Sequence, residues 1–316
     1  MRAALIILLG FTAATIGLAA PPEFSIDTVL AGLSKTHPEA SRVSDELPEG
    51  VTEEEGVTYV IRDGKELKLD LYRPAGHAVL PAVLIVHGGG WIAGDRTMER
   101  PFAKNLAVRG YVAVPVSYRL GVAGRFPAPV YDLKEAVRWL RANAAKYDID
   151  PRAIGIVGGS AGGTLAVTLG VTNGMVEFDG SQDPKRESSD VQAVVDIDGT
   201  VTFMNNDLIK SAETEPSPYW EYVHGIYSKN RATWLAASPL YYVSRQSAPT
   251  LFIKSTVTQP VLVGREEMCA RLKLLGVDSA MIEFANTPHP FWLVHPWFER
   301  VLDDTDVFLR QHLKSH

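Results

Sequence analysis

A serine lies in a glycine-rich segment that directly follows an apolar run. Residues 158–162 read Gly-Gly-Ser-Ala-Gly and come after the apolar segment 154–157. A serine on a sharp turn from a strand into a helix has its hydroxyl exposed, and glycines two positions before and after it remove Cβ atoms that would clash there. The spacing therefore predicts that Ser160 is a nucleophile at the end of a strand.

A second glycine-rich segment supplies what a serine nucleophile needs next. Residues 87–91 read His-Gly-Gly-Gly-Trp and follow the apolar residues 83–86. Backbone without side chains can point its N–H groups at the carbonyl oxygen that becomes negative in the tetrahedral intermediate of acyl transfer. The two segments, in this order along the chain, predict an oxyanion hole followed by a nucleophile.

A serine nucleophile also needs a general base. Among the eight histidines, His289 lies in a short loop after the last predicted strand, which is where the base falls when a triad runs in the order serine, acid, histidine. His295 is the alternative, but it directly precedes Pro296 at the start of the last predicted helix, among aromatic residues that favour packing. We therefore predict His289 as the base.

The elements that would position these residues alternate between strands and helices. Apolar runs predict eight strands, at residues 57–61, 67–72, 82–86, 112–116, 154–157, 193–197, 250–253 and 280–284. Helices are predicted at residues 98–108, 130–146, 161–171, 265–275 and 296–312. The first two strands are close enough for a hairpin and the later ones are separated by helices. The sheet is therefore expected to be antiparallel at one edge and parallel beyond it, with the site at the carboxyl ends of its parallel strands.

The chain divides into a leader, an arm and one large domain. Residues 1–20 carry Arg2, an apolar stretch and a small-residue end before two prolines, which is the layout of a signal peptide. This predicts a periplasmic or secreted protein with no membrane span after cleavage. Residues 21–55 are expected to form an N-terminal arm and residues 56–316 an α/β domain, with a small helical cap at 203–238.

Composition excludes several other classes of protein. The net charge of −6 argues against a nucleic-acid binder, which needs clustered lysine and arginine. Cys269 is the single cysteine, so no internal disulfide forms, and the metal-binding spacings of histidine and cysteine are absent from the sequence. The glycine loop formally matches a dinucleotide motif, but Gly94 and Asp95 interrupt the helix that this motif requires. No cofactor or metal is expected.

Further motifs connect the two glycine-rich segments to a known family. Residues 118–120 (YRL), 126–128 (FPA), 132–134 (DLK) and 136–140 (AVRWL) resemble those of α/β-hydrolase esterases of the hormone-sensitive-lipase and feruloyl or acetyl-xylan esterase type. The resemblance covers residues from about 57 to 313. It implies the α/β-hydrolase fold, a mostly parallel eight-stranded sheet flanked by helices, and esterase activity on short acyl groups.

The resemblance also assigns roles and exposes one departure. In that family the oxyanion donors are backbone N–H groups of the glycine loop and of the residue after the serine, which here are Gly88, Gly89 and Ala161. The triad acid usually lies just beyond the seventh strand, where this sequence has Thr258. A threonine can orient an imidazole but cannot stabilise an imidazolium by charge.

Another carboxylate must then serve as the triad acid. Asp198 is favoured because it ends the sixth predicted strand, beside the expected location. Asp196 comes two residues earlier and would share a face with Asp198 by strand alternation if the strand extends that far. Glu266 and Glu267 are the alternative, although acidic residues at the start of a helix also suit the helix dipole.

The sequence thus predicts a serine esterase for short-chain carboxylic esters. Trp91 and Tyr118 are candidates for lining the substrate pocket, with structural packing as an equal alternative for each. The substrate is expected to be a small-molecule or polysaccharide ester, and export and the aromatic insertion suggest acetyl or feruloyl groups on plant polysaccharides. Two alternatives stay open, a non-catalytic binding protein that lost the family's aspartate and a serine peptidase of the same fold. Nothing in the sequence predicts the oligomeric state.

Overall fold

The computed structural model describes residues 24–180, 186–214, 217–256 and 263–313. The expected signal peptide, residues 1–20, and Thr258 lie outside the described residues. Within the described part of the chain, no helix is both long enough and apolar enough to cross a membrane.

Eight strands form the main sheet, and two short strands form a separate pair. The main strands are β2 (Val51–Arg62), β3 (Lys65–Pro74), β4 (Leu80–Val86), β5 (Val112–Val116), β6 (Ile149–Gly159), β7 (Ala193–Ile197), β8 (Thr250–Ser255) and β9 (Ser279–Phe284), and the short pair is β1 (Ser41–Arg42) with β10 (Val294–His295). Each of the eight predicted strands coincides with one of the main strands.

The main sheet is antiparallel at one edge and parallel beyond it, as the sequence predicts. Its order is β2-β3-β5-β4-β6-β7-β8-β9. The pairs β2 with β3 and β3 with β5 are antiparallel, and the remaining neighbours are parallel. The carboxyl ends of β4, β6, β7, β8 and β9 therefore meet at one edge of the sheet.

Helices cover both faces of this sheet. In chain order they are α1 (Ile26–Leu33), α2 (Arg100–Val108), α3 (Ala128–Ala142), α4 (Ala144–Tyr147), α5 (Ala161–Val171), α6 (Asn206–Thr214), α7 (Pro218–Tyr222), α8 (Tyr227–Ala236), α9 (Arg265–Leu274) and α10 (Phe298–Leu313). The single helix predicted over residues 130–146 is two, because the chain leaves helical geometry at Asn143 between α3 and α4.

Alternation along the central strands divides the core into two layers. In β4, Ala82, Leu84 and Val86 belong to one buried cluster, whereas Val83 and Ile85 belong to the other. Successive side chains of a strand point to opposite faces, so a strand that is apolar at every position is covered by helices on both sides. The apolar runs of the sequence mark these fully buried strands.

The arm and the insertion both lie beside the carboxyl edge of the sheet. The arm contains α1 and β1, and Ser41 of β1 pairs with His295 of β10, shortly after the loop that carries His289. The sheet strand β2 begins at Val51, so the expected boundary at residue 55 falls inside a strand. The segment 203–238 contains α6, α7 and α8.

Candidate active site

Ser160 occupies a sharp turn between β6 and α5. Its φ is 55° and its ψ −120°, and its N–H donates to the carbonyl oxygen of Ile197, 2.8 Å away. A Cβ atom on Gly158 would lie 2.2 Å from the carbonyl oxygen of Gly162, and one on Gly162 would lie 2.0 Å from that of Val86. Only glycines fit at these positions, and a strained serine at such a turn is typical of a functional site.

His289 lies in the loop between β9 and a short helical turn, Phe291–Leu293. Its Nε2 is 3.0 Å from the Oγ of Ser160. With the ring proton on Nδ1, the hydroxyl of Ser160 donates to Nε2, which is the arrangement a general base requires. His295 instead places its Nδ1 2.7 Å from the Oε1 of Glu299 on α10, so it takes the structural role.

Asp198, the residue after β7, contacts the other ring nitrogen of His289. Its Oδ2 is 3.2 Å from the Nδ1 of His289, and its side chain is fully buried. Burial by itself would raise the pKa of Asp198, but the hydrogen bond with His289, the charges of His289 and Arg265, and a hydrogen bond from Ser255 together lower it below its ordinary value. Asp198 therefore carries a negative charge beside the imidazole.

The other carboxylates that the sequence offers point elsewhere. Glu266 Oε1 lies 2.7 Å from the Nζ of Lys254, and Glu267 pairs with Arg271 along α9. Both groups are on the outer surface of the helix, and among the described residues neither contacts His289. The negative charge that faces the imidazole comes from β7.

Because β7 ends at Ile197, strand alternation does not extend from Asp196 to Asp198. Its Oδ1 accepts a hydrogen bond from the N–H of Gly199, 2.8 Å away. Asp198 lies one residue beyond the strand, where a φ of 53° turns the chain toward His289. Burial raises the pKa of Asp196 to about 7, against the opposing charge of Arg265 and the Gly199 hydrogen bond.

The glycine loop after β4 lies against the nucleophile. A Cβ atom on Gly88 would be 3.3 Å from the Cβ of Ser160. Among the described residues, the backbone N–H groups of Gly88 and Gly89 have no acceptor. Ala161 is the first residue of α5, where a backbone N–H has no acceptor within its own helix. Three N–H groups beside one serine can hold a negatively charged oxygen.

His87 and Tyr118 contact the glycine loop and stabilise it. The rings of His87 and Tyr118 stack with centroids 4.4 Å apart, and the Tyr118 hydroxyl donates to the carbonyl oxygen of His87. Nδ1 of His87 lies 2.7 Å from the carbonyl oxygen of Gly88. Burial lowers the pKa of His87 to about 4, so the ring is neutral and donates this hydrogen bond at neutral pH. Tyr118 is buried among these contacts, and its role in substrate binding stays a prediction.

Trp91 is also a packing residue. It is only 2% exposed, and its ring stacks on Tyr222 of α7 with centroids 4.3 Å apart and an angle of 13°. Phe203 and Tyr219 complete the cluster around it. These contacts join the insertion to the glycine loop and show the packing role of Trp91, while its role in substrate binding stays a prediction.

Sequence reasoning missed two residues that surround the site. Arg265 places its Nη1 3.0 Å from the Oδ1 of Asp198, and Trp292 packs edge-on against His289 with ring centroids 5.1 Å apart. Both come from elements far from their partners in the chain, and no local pattern marks either one. Across the described ranges, no cluster of three or more histidine, cysteine, aspartate or glutamate side chains could hold a metal ion.

Comparison with known proteins agrees with this geometry. The BD-FAE family model matches residues 69–267, which is more than half of the chain and includes both Ser160 and Asp198. The chain belongs to the BD-FAE family. His289 lies beyond the part that the BD-FAE model matches, and the structure brings it to Ser160.

Relatives of this BD-FAE chain include several esterases. It is 29% identical over 236 residues to the esterase LipQ of Mycobacterium tuberculosis, covering 72% of this chain and 54% of the relative. It is 26% identical over 264 residues to the versiconal hemiacetal acetate esterase of Dothistroma septosporum, covering 76% and 75%. The chain spans about half the length of the mycobacterial esterases that it matches.

The fold of this BD-FAE chain also occurs among solved structures. A truncated carbohydrate esterase from gut microbiota superposes with a TM-score of 0.72 at 23% identity, covering 87% of this chain and 100% of that one. At that identity the likeness concerns the fold alone. The chain thus has the α/β-hydrolase fold that the sequence motifs predict.

Proposed function

We propose that this protein is an exported serine esterase that hydrolyses short-chain carboxylic esters. The observation that carries the proposal is the continuous line of contacts from Ser160 Oγ to His289 Nε2, 3.0 Å, and from His289 Nδ1 to Asp198 Oδ2, 3.2 Å. Membership of the BD-FAE family and similarity to curated esterases support it. The leader-like residues 1–20 support export.

The proposed reaction begins with proton transfer from the nucleophile. His289 Nε2 takes the proton of Ser160 as Oγ attacks the ester carbonyl, and the carbonyl oxygen becomes an oxyanion held by the N–H groups of Gly88, Gly89 and Ala161. The imidazolium then protonates the departing alcohol. In the second half, His289 activates a water molecule that hydrolyses the acyl-enzyme and regenerates the serine.

Asp198 has two tasks in this cycle. Its hydrogen bond to Nδ1 holds the imidazole in the tautomer that leaves Nε2 free to accept a proton. Its negative charge also stabilises the imidazolium that forms when Ser160 loses its proton. Since Asp198 supplies the charge that Thr258 could not, the loss of the family's usual aspartate gives no support to a non-catalytic binding role.

The acyl group of the proposed substrate is short and aliphatic. An aromatic insertion first suggested feruloyl as well as acetyl groups, but Trp91, Phe203 and Tyr222 fill one another's space. Aromatic rings whose faces are covered by one another have no face free to stack on a feruloyl ring. Similarity to an enzyme named as an acetate esterase also favours a small acyl group. Acetyl groups on polysaccharides are the proposed natural targets.

The first experiment compares purified protein with its Ser160→Ala variant on p-nitrophenyl acetate, butyrate and octanoate. Ser34→Ala, an exposed serine in the arm, is the matched control. Turnover that falls with chain length, disappears in Ser160→Ala and persists in Ser34→Ala is expected. Folded protein without turnover on any ester would overturn the proposal and favour a binding role.

Two further assays address the substrate and the location. Acetate release from acetylated xylan is expected to exceed ferulate release from feruloylated arabinoxylan, and p-nitroanilide amides are expected to react far more slowly than the esters. Faster amide cleavage would instead indicate a peptidase.

Expression of the full chain in a bacterial host, with fractionation, is expected to place shortened protein outside the cytoplasm, whereas a variant lacking residues 2–20 stays inside.

A further inference from the structure

Among the described residues, Asp198 accepts hydrogen bonds from three groups besides His289. The backbone N–H of Ser255 donates to Oδ1 at 2.8 Å, and the Ser255 hydroxyl donates to Oδ2 at 2.6 Å. The third donor is Nη1 of Arg265, 3.0 Å from Oδ1. Both carboxylate oxygens are thus occupied, and Oδ2 is left in line with the imidazole. A carboxylate so held cannot rotate away from His289.

Arg265 differs from the other arginine of its helix, Arg271, by its burial. It is the first residue of α9 and is only 2% exposed, whereas Arg271 on the same helix has a side chain that is 49% exposed. A buried guanidinium is costly unless it is paired, and removing one partner of a buried pair leaves the other charge uncompensated. The ion pair with Asp198 therefore offsets the cost of burying Arg265 next to the site.

The titratable groups around the Asp198 carboxylate come from three elements. Arg265 approaches from α9 and His289 from the loop after β9, whereas Asp196, two residues earlier on β7, directs its Oδ1 to the N–H of Gly199. Lys254 of β8 pairs with Glu266 of α9 and with Glu283 of β9. Burial acts to raise the pKa of both aspartates and the charge of Arg265 opposes it in each, so one positive charge acts on two carboxyl groups.

We propose that Arg265 is a positioning residue of the catalytic site, which fixes the orientation of Asp198 and offsets part of its charge. The inference rests on the proposed esterase function. Because Arg265 partly neutralises the charge of Asp198, that carboxylate attracts the His289 imidazolium less strongly. In a family whose acid usually lies after the next strand, Arg265 from the following helix makes the carboxylate on β7 a stable substitute.

The decisive measurement is the pH dependence of kcat/KM. Arg265→Gln keeps a hydrogen-bond donor but removes the positive charge, so His289 protonates more readily. The acid limb of the pH profile, where kcat/KM falls as His289 is protonated, is expected to move to higher pH by about one unit. A unit charge a few ångströms away contributes on the order of this shift at protein surfaces and interiors. Arg265→Lys retains the charge and should leave the limb near its wild-type position, with a lower kcat.

Controls separate a local effect from loss of structure. Arg271→Gln removes a charge from the same helix, away from Asp198, and is expected to leave both the limb and kcat unchanged. If Arg265→Gln does not fold, Arg265→Met removes the same charge with a side chain of similar length and should shift the limb upward, and Ser255→Ala should lower kcat and shift the limb upward as well. A purely structural role would lower kcat without moving the limb.

Failure of this inference can be told from failure of the proposed function. NMR titration of the His289 imidazole in the full chain reads the same midpoint without any turnover. A wild-type protein inactive on every ester would overturn the esterase function, but an upward shift of the imidazole midpoint in Arg265→Gln would still support the role of Arg265. An unshifted midpoint together with unchanged kcat/KM in Arg265→Gln would overturn it.

Discussion

The indole ring of Trp292 occupies the space that a side chain on Gly159 would need. A Cβ atom on Gly159 would lie 2.3 Å from two carbon atoms of that ring, closer than real Cβ contacts come. The same indole packs edge-on against His289. One buried side chain therefore contacts both the turn that holds the nucleophile and the base, and it fixes the distance between them.

Gly159→Ala is expected to lower both stability and turnover. Overpacking in a rigid core typically costs about 1–3 kcal/mol, and here the displaced group is the ring that supports His289. Thermal unfolding and hydrolysis of p-nitrophenyl acetate measure the two effects. Gly32→Ala is the control, because the added methyl on α1 meets no atom within 4 Å, and a helix gains about 0.5–1 kcal/mol from such a change.

A double substitution tests whether the effect passes through the indole. In a Trp292→Ala background the space is open, so adding Gly159→Ala should cost less than it does in the wild-type chain. Equal costs in the two backgrounds would show that the contact with Trp292 does not matter.

Asp198→Asn is expected to reduce kcat by about 10⁴, because an amide can hold the imidazole in the wrong tautomer and cannot stabilise the imidazolium. Glu266→Gln and Glu267→Gln should retain nearly full activity, since their carboxylates pair with Lys254 and Arg271 at the surface. Steady-state kinetics on p-nitrophenyl acetate check all three variants. A large loss in either glutamine variant, with Asp198→Asn still active, would transfer the role of the acid to α9.

Tyr222→Ala should destabilise the protein by roughly 3 kcal/mol, as expected for truncation of a large buried ring. The phenol ring is 1% exposed and stacks on Trp91, so its loss leaves a cavity between the insertion and the glycine loop. Chemical denaturation measures the free energy of unfolding. Tyr241→Ala, on an exposed tyrosine, should change it by less than about 0.5 kcal/mol. Similar small values for both would contradict the packing role assigned to this stack.

Glu99 makes stability depend on pH. Burial raises the pKa of this carboxyl to about 8, well above its value in an unfolded chain, so between about pH 4.5 and 8 the folded state binds the proton that the unfolded state has released. The contribution of Glu99 to the free energy of unfolding is fully present below about pH 4.5. It is lost as the pH rises through 8, by at most about 1.4 kcal/mol per pH unit.

Glu99→Gln removes that dependence. The variant should match the wild-type melting temperature near pH 5 and exceed it increasingly toward pH 8, whereas Glu49→Gln, at an exposed position, should follow the wild type throughout. Melting curves at half-unit intervals of pH provide the comparison. A constant difference across the range would contradict the buried, protonated state of Glu99.

The sequence by itself determined the parts of this protein that depend on neighbouring residues. Apolar runs mark the central strands, because a strand covered on both faces is apolar at every position. The spacing of Gly158, Ser160 and Gly162 follows from steric limits within a single turn. Chain order and loop position were enough to select His289. These features are local, so they are visible in the sequence before folding.

Tertiary structure decided what depends on distant contacts. Asp198 meets Ser255 and Arg265 across 57 and 67 residues of chain, and the register of β7 against β8 sets whether its carboxylate reaches His289. The sequence favoured Asp198 but left Glu266 and Glu267 open, and it gave no sign of Arg265 or of the contact between Trp292 and Gly159. It also left Trp91 and Tyr118 between binding and packing. The structure buries both and supplies their packing partners, because a residue's exposure follows from the whole fold and not from its neighbours in the chain.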